Sequence, residues 1–493
     1  MKLRDLLIGL GVVQSYGNMD IGISGITYDS RKVKEDGLFV CIMGFKTDGH
    51  KYILSAIDRG ARAIVIERDL ENIQDIIDDY KIAIVKVKDS RAVLSKLSAK
   101  FYGNPSEKFK VVGITGTNGK TSITYLVDSI AQANNKKTGL IGTIKSKILN
   151  EEYQLSNTTP ESVELHYLFN EMAKKEVDLC SMEVSSHSLD LKRVDDVDFN
   201  IGVFTNLTAD HLDFHKDMES YKNAKKKLFY KTSQINIINT DDKYGKEIYD
   251  EIKELDTPVL TYGINSNCDI YADNIDMHVS YSTFNLVTPK YSGSIKINIP
   301  GLFSIYNILA SIGVCYFMGY SYEEIVKGIK AIKPIPGRFE PVENDRDITV
   351  IVDYAHTPDA LENVLRTIRQ FAVGKIITIF GCGGDRDAVK RPIMGKIAYD
   401  MSDYAIVTSD NPRTEDPRRI VEDIIEGMGR DESKYDIVIN RRDAIKAAIE
   451  RAKNKDVILI AGKGHETYQI INNEVFDFDD KEVAKKFLEE VNQ

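Results

Sequence analysis

Between residues 113 and 121 the chain reads Gly113-Ile114-Thr115-Gly116-Thr117-Asn118-Gly119-Lys120-Thr121. Glycines at this spacing let backbone N–H groups approach phosphate oxygens, and the N-terminus of a following helix favours their charge. Lys120 adds a cation, and the Thr121 hydroxyl can reach Mg2+. Phe109 to Thr115 reads as a buried strand, while Thr121 to Ala133 carries Ile123, Leu126, Val127 and Ile130 at helical spacing. Strand, glycine turn and helix are the setting such a loop needs. The strict G-x-x-x-x-G-K-[ST] spacing is not met, because its first glycine would fall at Ile114 and Gly113 is one residue early. A glycine turn beside a surface lysine is the competing account.

Other strings place reactive side chains at the ends of apolar runs, where open α/β sheets bind their ligands. In Met182-Glu183-Val184-Ser185-Ser186-His187 an acid ends a buried strand, although Glu183 alone is equally a turn or helix-capping carboxylate. His211, in Asn206-Leu207-Thr208-Ala209-Asp210-His211, is by itself equally a hydrogen-bonded loop residue. Lys225 opens a basic run with Lys226 and Lys227 that composition reads as a solvated helix face. Asn307 lies in an apolar helix, Arg338 in Pro336-Gly337-Arg338-Phe339-Glu340, and Asp353 and His356 in Asp353-Tyr354-Ala355-His356-Thr357-Pro358 at a strand end. A buried amide satisfied by backbone competes for Asn307, and a surface ion pair for Arg338. Finally Gly384-Asp385-Arg386-Asp387, Asp410-Asn411-Pro412-Arg413 and Gly462-Lys463-Gly464-His465-Glu466 each follow a strand, so one crevice can gather all three. As isolated strings they are turns and a helix start. No Ser/His/Asp or Cys/His arrangement for a covalent nucleophile stands out.

These residues need three groups of elements to position them. From Ile21 to Lys88 short β-rich runs alternate with helical stretches such as Tyr52 to Arg59, which predicts a small α/β domain. Gly and Asn-Pro turn signals at Phe101-Tyr102-Gly103-Asn104-Pro105-Ser106 place its end near 108. Strands at Val177 to Val184, Phe199 to Thr205 and Ile235 to Asn239, with helical patterns between them, predict a mostly parallel sheet over 109–334. Residues 268 to 300 alternate without an intervening helix and read as appended antiparallel strands. After Pro334, Pro336 and Gly337 come strands at Ile348 to Val352, Ile376 to Phe380, Tyr404 to Thr408 and Val457 to Ala461. They predict a Rossmann-like doubly wound domain over 335–493.

Length agrees with three domains: 493 residues at roughly 150 per domain leave each enough chain for its own core. A 42% hydrophobic and 28% charged composition is that of a folded protein. With Lys+Arg 65 against Asp+Glu 75 the net charge is −10, so no broad basic surface exists for nucleic acid or acidic membranes, and an anionic ligand needs a local site. Cys41, Cys180, Cys268, Cys315 and Cys382 are scattered and odd in number, which reads as reduced core filler in a cytoplasmic chain. Lys2 and Arg4 precede an apolar stretch, Leu6 to Val13, but Asp5 interrupts the boundary and no small-residue cleavage site follows. An amphipathic first helix is expected there rather than a signal peptide. The apolar stretch Ile305 to Tyr320 contains Asn307 and Ser311 and is too short to span a membrane, so a buried helix is expected. Nothing marks an association surface, and a monomer is the default.

The Gly-Thr-x-Gly-Lys-Thr form of the loop, with the later strings, resembles the Mur ligase and folylpolyglutamate synthetase superfamily. Within it the chain is similar to members that add an amino acid to UDP-N-acetylmuramoyl-L-Ala-D-Glu. The likeness covers nearly the whole chain and implies a role for each domain: the first binds the UDP end of the substrate, the second ATP and the third the incoming amino acid. By the same resemblance Thr115, Gly116, Thr117, Asn118, Gly119, Lys120, Thr121, Asn307, Arg338, Asp353 and His356 match nucleotide-contacting residues. It also implies two Mg2+ ions, which fall to Thr121, Glu183, His211 and Lys225, the last as a carbamate: an unprotonated amine that has added CO2 is anionic and binds the metal as a carboxylate does. Lys226 and Lys227 keep the bland reading.

Ser30, Asn157, Thr158, Thr159, Ser185 and Arg193 match residues that hold the UDP-muramoyl-peptide, although Thr followed by Pro is also a helix-start signal. Some relatives carry Gln at Leu191, so no polar contact is carried over there. Arg386, Asp410, Asn411, Pro412, Arg413, Gly462 and Glu466 match the amino-acid site. The Asp-Asn-Pro-Arg form resembles that of ligases adding meso-diaminopimelate. An Arg413 fork can clamp its distal carboxylate, which L-lysine lacks, and Glu466 can take the ammonium. The implied reaction is amide formation through an acyl phosphate. A lysine-adding ligase, a folylpolyglutamate-type synthetase and a non-catalytic ATP- or UDP-sugar-binding protein are the alternatives.

Overall fold

A computed structural model gives the coordinates and describes residues 1–45, 47–71, 73–155, 157–278 and 281–491. The chain divides into two compact units. The first is Met1–Gly113 with Lys136–Gly202 and Ala224–Gln234, the second Ile114–Asn135 with Val203–Asn223 and Ile235–Gln493. The region expected as an N-terminal domain lies in the first unit and the C-terminal one in the second, while the expected central region contributes to both.

In the first unit β1 (Gln14–Tyr16), β2 (Gly25–Thr27), β3 (Gly37–Val40), β4 (Ala61–Ile66) and β5 (Ala83–Lys86) form a sheet of order β1-β5-β4-β3-β2. It is parallel except for β1. Alternation along β3 and β4 sends Leu38, Val40, Ala63 and Val65 to one face and Phe39, Ile64 and Ile66 to the other. Leu94 and Leu97 of helix Ser90–Phe101 cover the first face, Ile53 and Ile57 the second. Both faces are therefore apolar, as a parallel sheet requires. The expected first helix spans Leu3–Leu7 and stops before Gly9 (φ 72°) and Gly11 (φ 63°), which adopt left-handed backbone, after which the chain enters β1. Strand β6 (Lys110–Thr115) leads toward the glycine loop. Strands β7 (Thr138–Ile141) and β10 (Leu179–Glu183) are parallel, and β7, β8 (Ser146–Ile148) and β9 (Glu151–Tyr153) form an antiparallel meander.

In the second unit β11 (Phe199–Phe204), which begins in the first, is followed by β12 (Thr232–Asn239), β13 (Val259–Gly263), β14 (Ile270–Met277), β15 (Ser282–Val287) and β16 (Ser292–Ile297). Pairing is parallel from β12 to β14 and antiparallel from β14 to β16, matching the alternation over 268–300. Helix Leu302–Phe317 is the expected buried helix and packs on helix Lys120–Ala133 and β13.

The C-terminal sheet, β17 (Glu340–Pro341), β18 (Thr349–Asp353), β19 (Ile376–Phe380), β20 (Tyr404–Val407), β21 (Tyr435–Ile437) and β22 (Val457–Ala461), has order β17-β18-β22-β19-β20-β21. All but β17 are parallel. Leu361, Leu365, Met394 and Ile424 cover one face and Ala444, Ile445, Ile449 and Phe487 the other, so the sheet is doubly wound. A hairpin, β23 (Tyr468–Ile471) and β24 (Glu474–Asp477), turns at Asn472 and Asn473, both with positive φ as a two-residue hairpin turn requires. All five cysteines are buried, and among the described residues none forms a disulfide. Among the described residues no helix is long and apolar enough to cross a membrane.

Candidate active site

The glycine loop runs from the end of β6 into helix Lys120–Ala133. Gly116 adopts φ 151°, and a Cβ built on it would lie 1.7 Å from Thr205 Oγ1. Gly119 has φ 89°, and its Cβ would lie 2.4 Å from Asn307 Oδ1. Both positions combine a backbone that L side chains rarely adopt with a neighbour already in the space. The loop is pinned to the strand end beside it. Thr205 Oγ1 donates to Asn118 O (2.6 Å), Asn118 N–H to Asn206 Oδ1 (2.9 Å) and Thr117 N–H to Asn206 O (2.9 Å). Lys120 Nζ donates to the carbonyls of Gly116 (2.9 Å) and Thr117 (2.8 Å), which holds its charge over the loop.

A cavity of about 340 Å³ opens beside this loop within the second unit. Of the expected nucleotide residues, Asn118, Gly119, Asn307, Arg338 and Asp353 line it. Arg338 is no surface ion pair: it donates to Thr121 Oγ1 (3.1 Å), and its guanidinium lies 4.6 Å from the centre of the Tyr354 ring. Burial raises the Asp353 carboxyl to about 6, against the Arg338 charge and the N–H groups of Phe339 and Ala355. His356 stands behind the lining. Burial, with help from Lys390, lowers it to about 4, so the ring is neutral. Its Nδ1 lies 2.8 Å from Tyr354 O, which places the proton there and leaves an acceptor at Nε2.

Residues that sequence reasoning passed over complete the cavity. Asp359 accepts from Asn118 Nδ2 (2.8 Å), and Asp241 accepts from the Tyr306 hydroxyl (2.9 Å). Asp241 and Asn206 follow strands β12 and β11, so their position at strand ends was the available signal.

Within the first unit Glu183 ends β10, 1% exposed. Thr143 donates to it twice, from N–H to Oε1 (2.8 Å) and from the hydroxyl to Oε2 (3.1 Å). The Thr143 hydroxyl in turn meets Thr158 Oγ1 (3.0 Å). Thr159 donates to Glu183 O (2.8 Å) and accepts from Ser185 N–H (3.0 Å), while Arg193 reaches Thr159 O (3.2 Å) and pairs with Glu161 (2.7 Å). Thr158, Thr159, Ser185 and Arg193 thus gather around one strand end. Asn157 is exposed beside them. Ser30 belongs to the N-terminal sheet region, where its neighbours Tyr28 and Lys32 reach Glu164.

Of the lysine run on helix Met218–Lys231, Lys225 is 1% exposed, Lys226 is half-buried and Lys227 is exposed and paired with Asp190. Composition had made them alike, and burial separates them. In the second unit His211 is half-exposed, adopts φ 55° and lies 3.4 Å from Asp210.

Among the described residues no group of three or more His, Cys, Asp or Glu gathers as a metal cage. The donor set expected for Mg2+, a hydroxyl, a buried carboxylate, an imidazole and a lysine carbamate, suits a hard cation that takes its remaining ligands from phosphate and water.

The third cluster lies at the ends of β19, β20 and β22. Asn411 Nδ2 donates to Glu466 Oε2 (2.8 Å), and its Oδ1 accepts from Lys463 Nζ (3.2 Å) and Ile470 N–H (2.9 Å). Gly462 brings its backbone against Asp410, whose Oδ2 would lie 2.8 Å from a Cβ there. Arg413 adopts φ 53° and donates through Nη1 to Gly384 O (2.7 Å) and Asn411 O (3.4 Å). Among the described residues its Nε–Nη2 edge has no protein partner, and that edge is a fork shaped for a carboxylate. Pro412 packs against Gly384, and Arg386 is exposed with Nη1 on Asp385 O (3.0 Å).

Residues 22–102 match the Mur ligase family catalytic domain, 114–315 the Mur ligase middle domain and 337–464 the Mur ligase glutamate ligase domain. The chain is 51% identical over 488 residues to the UDP-N-acetylmuramoyl-L-alanyl-D-glutamate--2,6-diaminopimelate ligase of Clostridioides difficile (strain 630), with 99% of each chain covered. It is 51% identical over 484 residues to the protein of the same name from Alkaliphilus oremlandii (strain OhILAs), with 98% of each covered. A solved structure of a ligase of that name is similar with a TM-score of 0.70 at 28% identity, covering 100% of this chain and 99% of that one. Likeness of this degree along the entire sequence, through all three matched domains, means that the chain belongs to the Mur ligase family.

Proposed function

We propose that the chain is an ATP-dependent ligase that joins meso-2,6-diaminopimelate to the D-Glu γ-carboxylate of UDP-N-acetylmuramoyl-L-Ala-D-Glu, in peptidoglycan precursor synthesis. The observation that carries this reading is the open Nε–Nη2 edge of Arg413 in a cluster that also holds Glu466. A ligand with both a carboxylate and an ammonium at its distal end satisfies the two together. Full-length likeness to diaminopimelate ligases supports the same substrate.

ATP occupies the cavity beside the glycine loop. Loop N–H groups and Lys120 face its phosphates, and Asn307, Arg338, Asp353 and neutral His356 orient the nucleotide. The γ-carboxylate attacks the γ-phosphorus and ADP leaves. A diaminopimelate amine that has lost its proton then attacks the acyl phosphate, and collapse of the tetrahedral intermediate expels phosphate. The obstacle is a carboxylate approaching a triphosphate, and the loop amides and Lys120 lower it where charge develops. Thr121, Glu183, His211 and Lys225, the last as a carbamate, would hold Mg2+ at two sites, and the metal would supply charge neutralisation. Ser30, Asn157, Thr158, Thr159, Ser185 and Arg193 hold the UDP-muramoyl-peptide. Arg386, Asp410, Asn411, Pro412, Arg413, Gly462 and Glu466 hold the amino acid.

In this reading residues 1–108, 109–334 and 335–493 are the three domains of a cytoplasmic monomer, acting on small molecules without nucleic acid or stable membrane association. Phosphate release by the purified protein tests it, with ATP, Mg2+ and UDP-N-acetylmuramoyl-L-Ala-D-Glu, comparing meso-diaminopimelate, L-lysine and no amino acid. Turnover with diaminopimelate alone is expected. Turnover with lysine instead keeps the ligase and discards the Arg413 fork, and no turnover in folded protein overturns the activity.

A further inference from the structure

One residue of the amino-acid cluster is a fully buried cation. Lys463 is 0% exposed, with its ammonium on Glu466 Oε2 (2.9 Å) and Asn411 Oδ1 (3.2 Å). Gly462 (φ 115°) and Gly464 (φ 52°) flank it, and these left-handed positions let the chain turn the side chain inward. Seated below the ligand-facing atoms, Lys463 cannot itself be a surface clamp. A second buried cation, Arg441, donates to both oxygens of Asp480 (2.7 Å each) and to Ala461 O (3.0 Å), at the end of the strand that leads into this loop. With Arg413 and Arg386, four cations stand against four carboxylates: Asp385, Asp410, Glu466 and Asp480. The cluster is electrically balanced.

We infer that Lys463 is a specificity-determining positioning residue, which fixes the carboxylate of Glu466 and sets the cluster's charge to favour an amino acid of zero net charge. The inference rests on the proposed function, in which this cluster receives the diamino acid. Diaminopimelate carries two ammonium and two carboxylate groups and is neutral overall, whereas L-lysine carries one excess positive charge. A buried ammonium repels the excess charge in a medium where screening is weak. Lys463 therefore adds to the discrimination that Arg413 begins, by disfavouring the wrong ligand rather than contacting the right one.

Two variants lower the charge of the cluster by one unit by different routes. Lys463→Met deletes the cation; Asn411→Asp adds an anion, keeping the acceptor for Lys463 and Ile470 while losing the Nδ2–H that Glu466 accepts. Phosphate release is measured with meso-diaminopimelate and with L-lysine, and kcat/KM is taken for each. Both variants are expected to lower the diaminopimelate-to-lysine ratio of kcat/KM at least tenfold while the KM for ATP stays within twofold. Lys463→Arg, which keeps the charge, is expected to restore the ratio even where the absolute rate stays low. A role confined to packing would lower both efficiencies together and leave the ratio where it was. An unchanged ratio in Lys463→Met, or in Asn411→Asp if the former does not fold, overturns the inference while the wild-type dependence on diaminopimelate stands. Glu466→Gln separates the two levels: if it leaves the KM for diaminopimelate unchanged, the assignment of the cluster itself fails.

Discussion

In the glycine loop the groups proposed to face phosphate come from nine consecutive residues and are mostly backbone N–H. In the cluster at the ends of β19, β20 and β22 they are side chains from three loops between residues 384 and 466. The loop obtains its shape from absent side chains, with Thr205 Oγ1 and Asn307 Oδ1 occupying the space that a Cβ at Gly116 or Gly119 would need. The cluster obtains its shape from side chains present and buried, with Lys463 and Asn411 holding Glu466. Addition therefore breaks the first region, and subtraction retunes the second.

Gly116→Ala should have the largest effect. Its methyl would overlap Thr205 Oγ1 at 1.7 Å, and that hydroxyl anchors Asn118 O. Moving it shifts the donors proposed to face developing charge, so kcat/KM for ATP should fall about 10²–10³-fold, as when one such donor is removed outright. The KM for diaminopimelate should stay within a few-fold, because the atoms nearest a Cβ at Gly116 belong to Thr205 and Asn206. A comparable loss in both constants would show that the two regions are not separable.

Arg413→Met makes the reciprocal test by subtraction. The fork edge is lost along with the Nη1 bonds to Gly384 and Asn411. A charge-assisted bidentate contact of about 2–3 kcal/mol corresponds to a rise of roughly 100-fold in KM for diaminopimelate. The KM for ATP should be unaffected, and lysine turnover should fall much less than diaminopimelate turnover. Equal losses for the two amino acids would mean that Arg413 holds the loop rather than the ligand.

The same contrast explains what was legible in the sequence. A glycine loop announces itself because its chemistry is contiguous, and the strand and helix around it follow from buried apolar runs and helical spacing. Ile376–Phe380 and Val457–Ala461 were readable as strands to the residue for this reason. Residues that act by tertiary placement left weaker traces. Asn206, Asp241 and Asp359 line the cavity beside the glycine loop, but each alone is ordinary turn or helix chemistry. Lys225 could be separated from Lys226 and Lys227 only through the family likeness, because helix-face burial at 1% is decided by what packs on it. The expected first helix ends at Leu7, before the two glycines of the apolar stretch Leu6 to Val13.

Asp353 supplies the smallest and most discriminating effect, because it lies on the cavity side yet behaves like the buried charges of the cluster. Burial raises its carboxyl from 3.8 to about 6 despite Arg338. Below pH 4 both folded and unfolded chains keep the proton, and no penalty exists. Between 4 and 6 the unfolded chain releases it while the folded chain retains it, so this residue's contribution to stability falls as pH rises. Above 6 the loss is complete, about 2–3 kcal/mol for a shift of this size. Asp353→Asn keeps an acceptor for Phe339 N–H and removes the charge. It should therefore raise the thermal midpoint at pH 8, with a smaller gain at pH 5, while weakening ATP turnover. In the proposed function the nucleotide site uses this charge. Equal midpoints for the two proteins at pH 8 would mean that Arg338 compensates it fully, and that unneutralised buried charge is absent from the cavity side of the comparison.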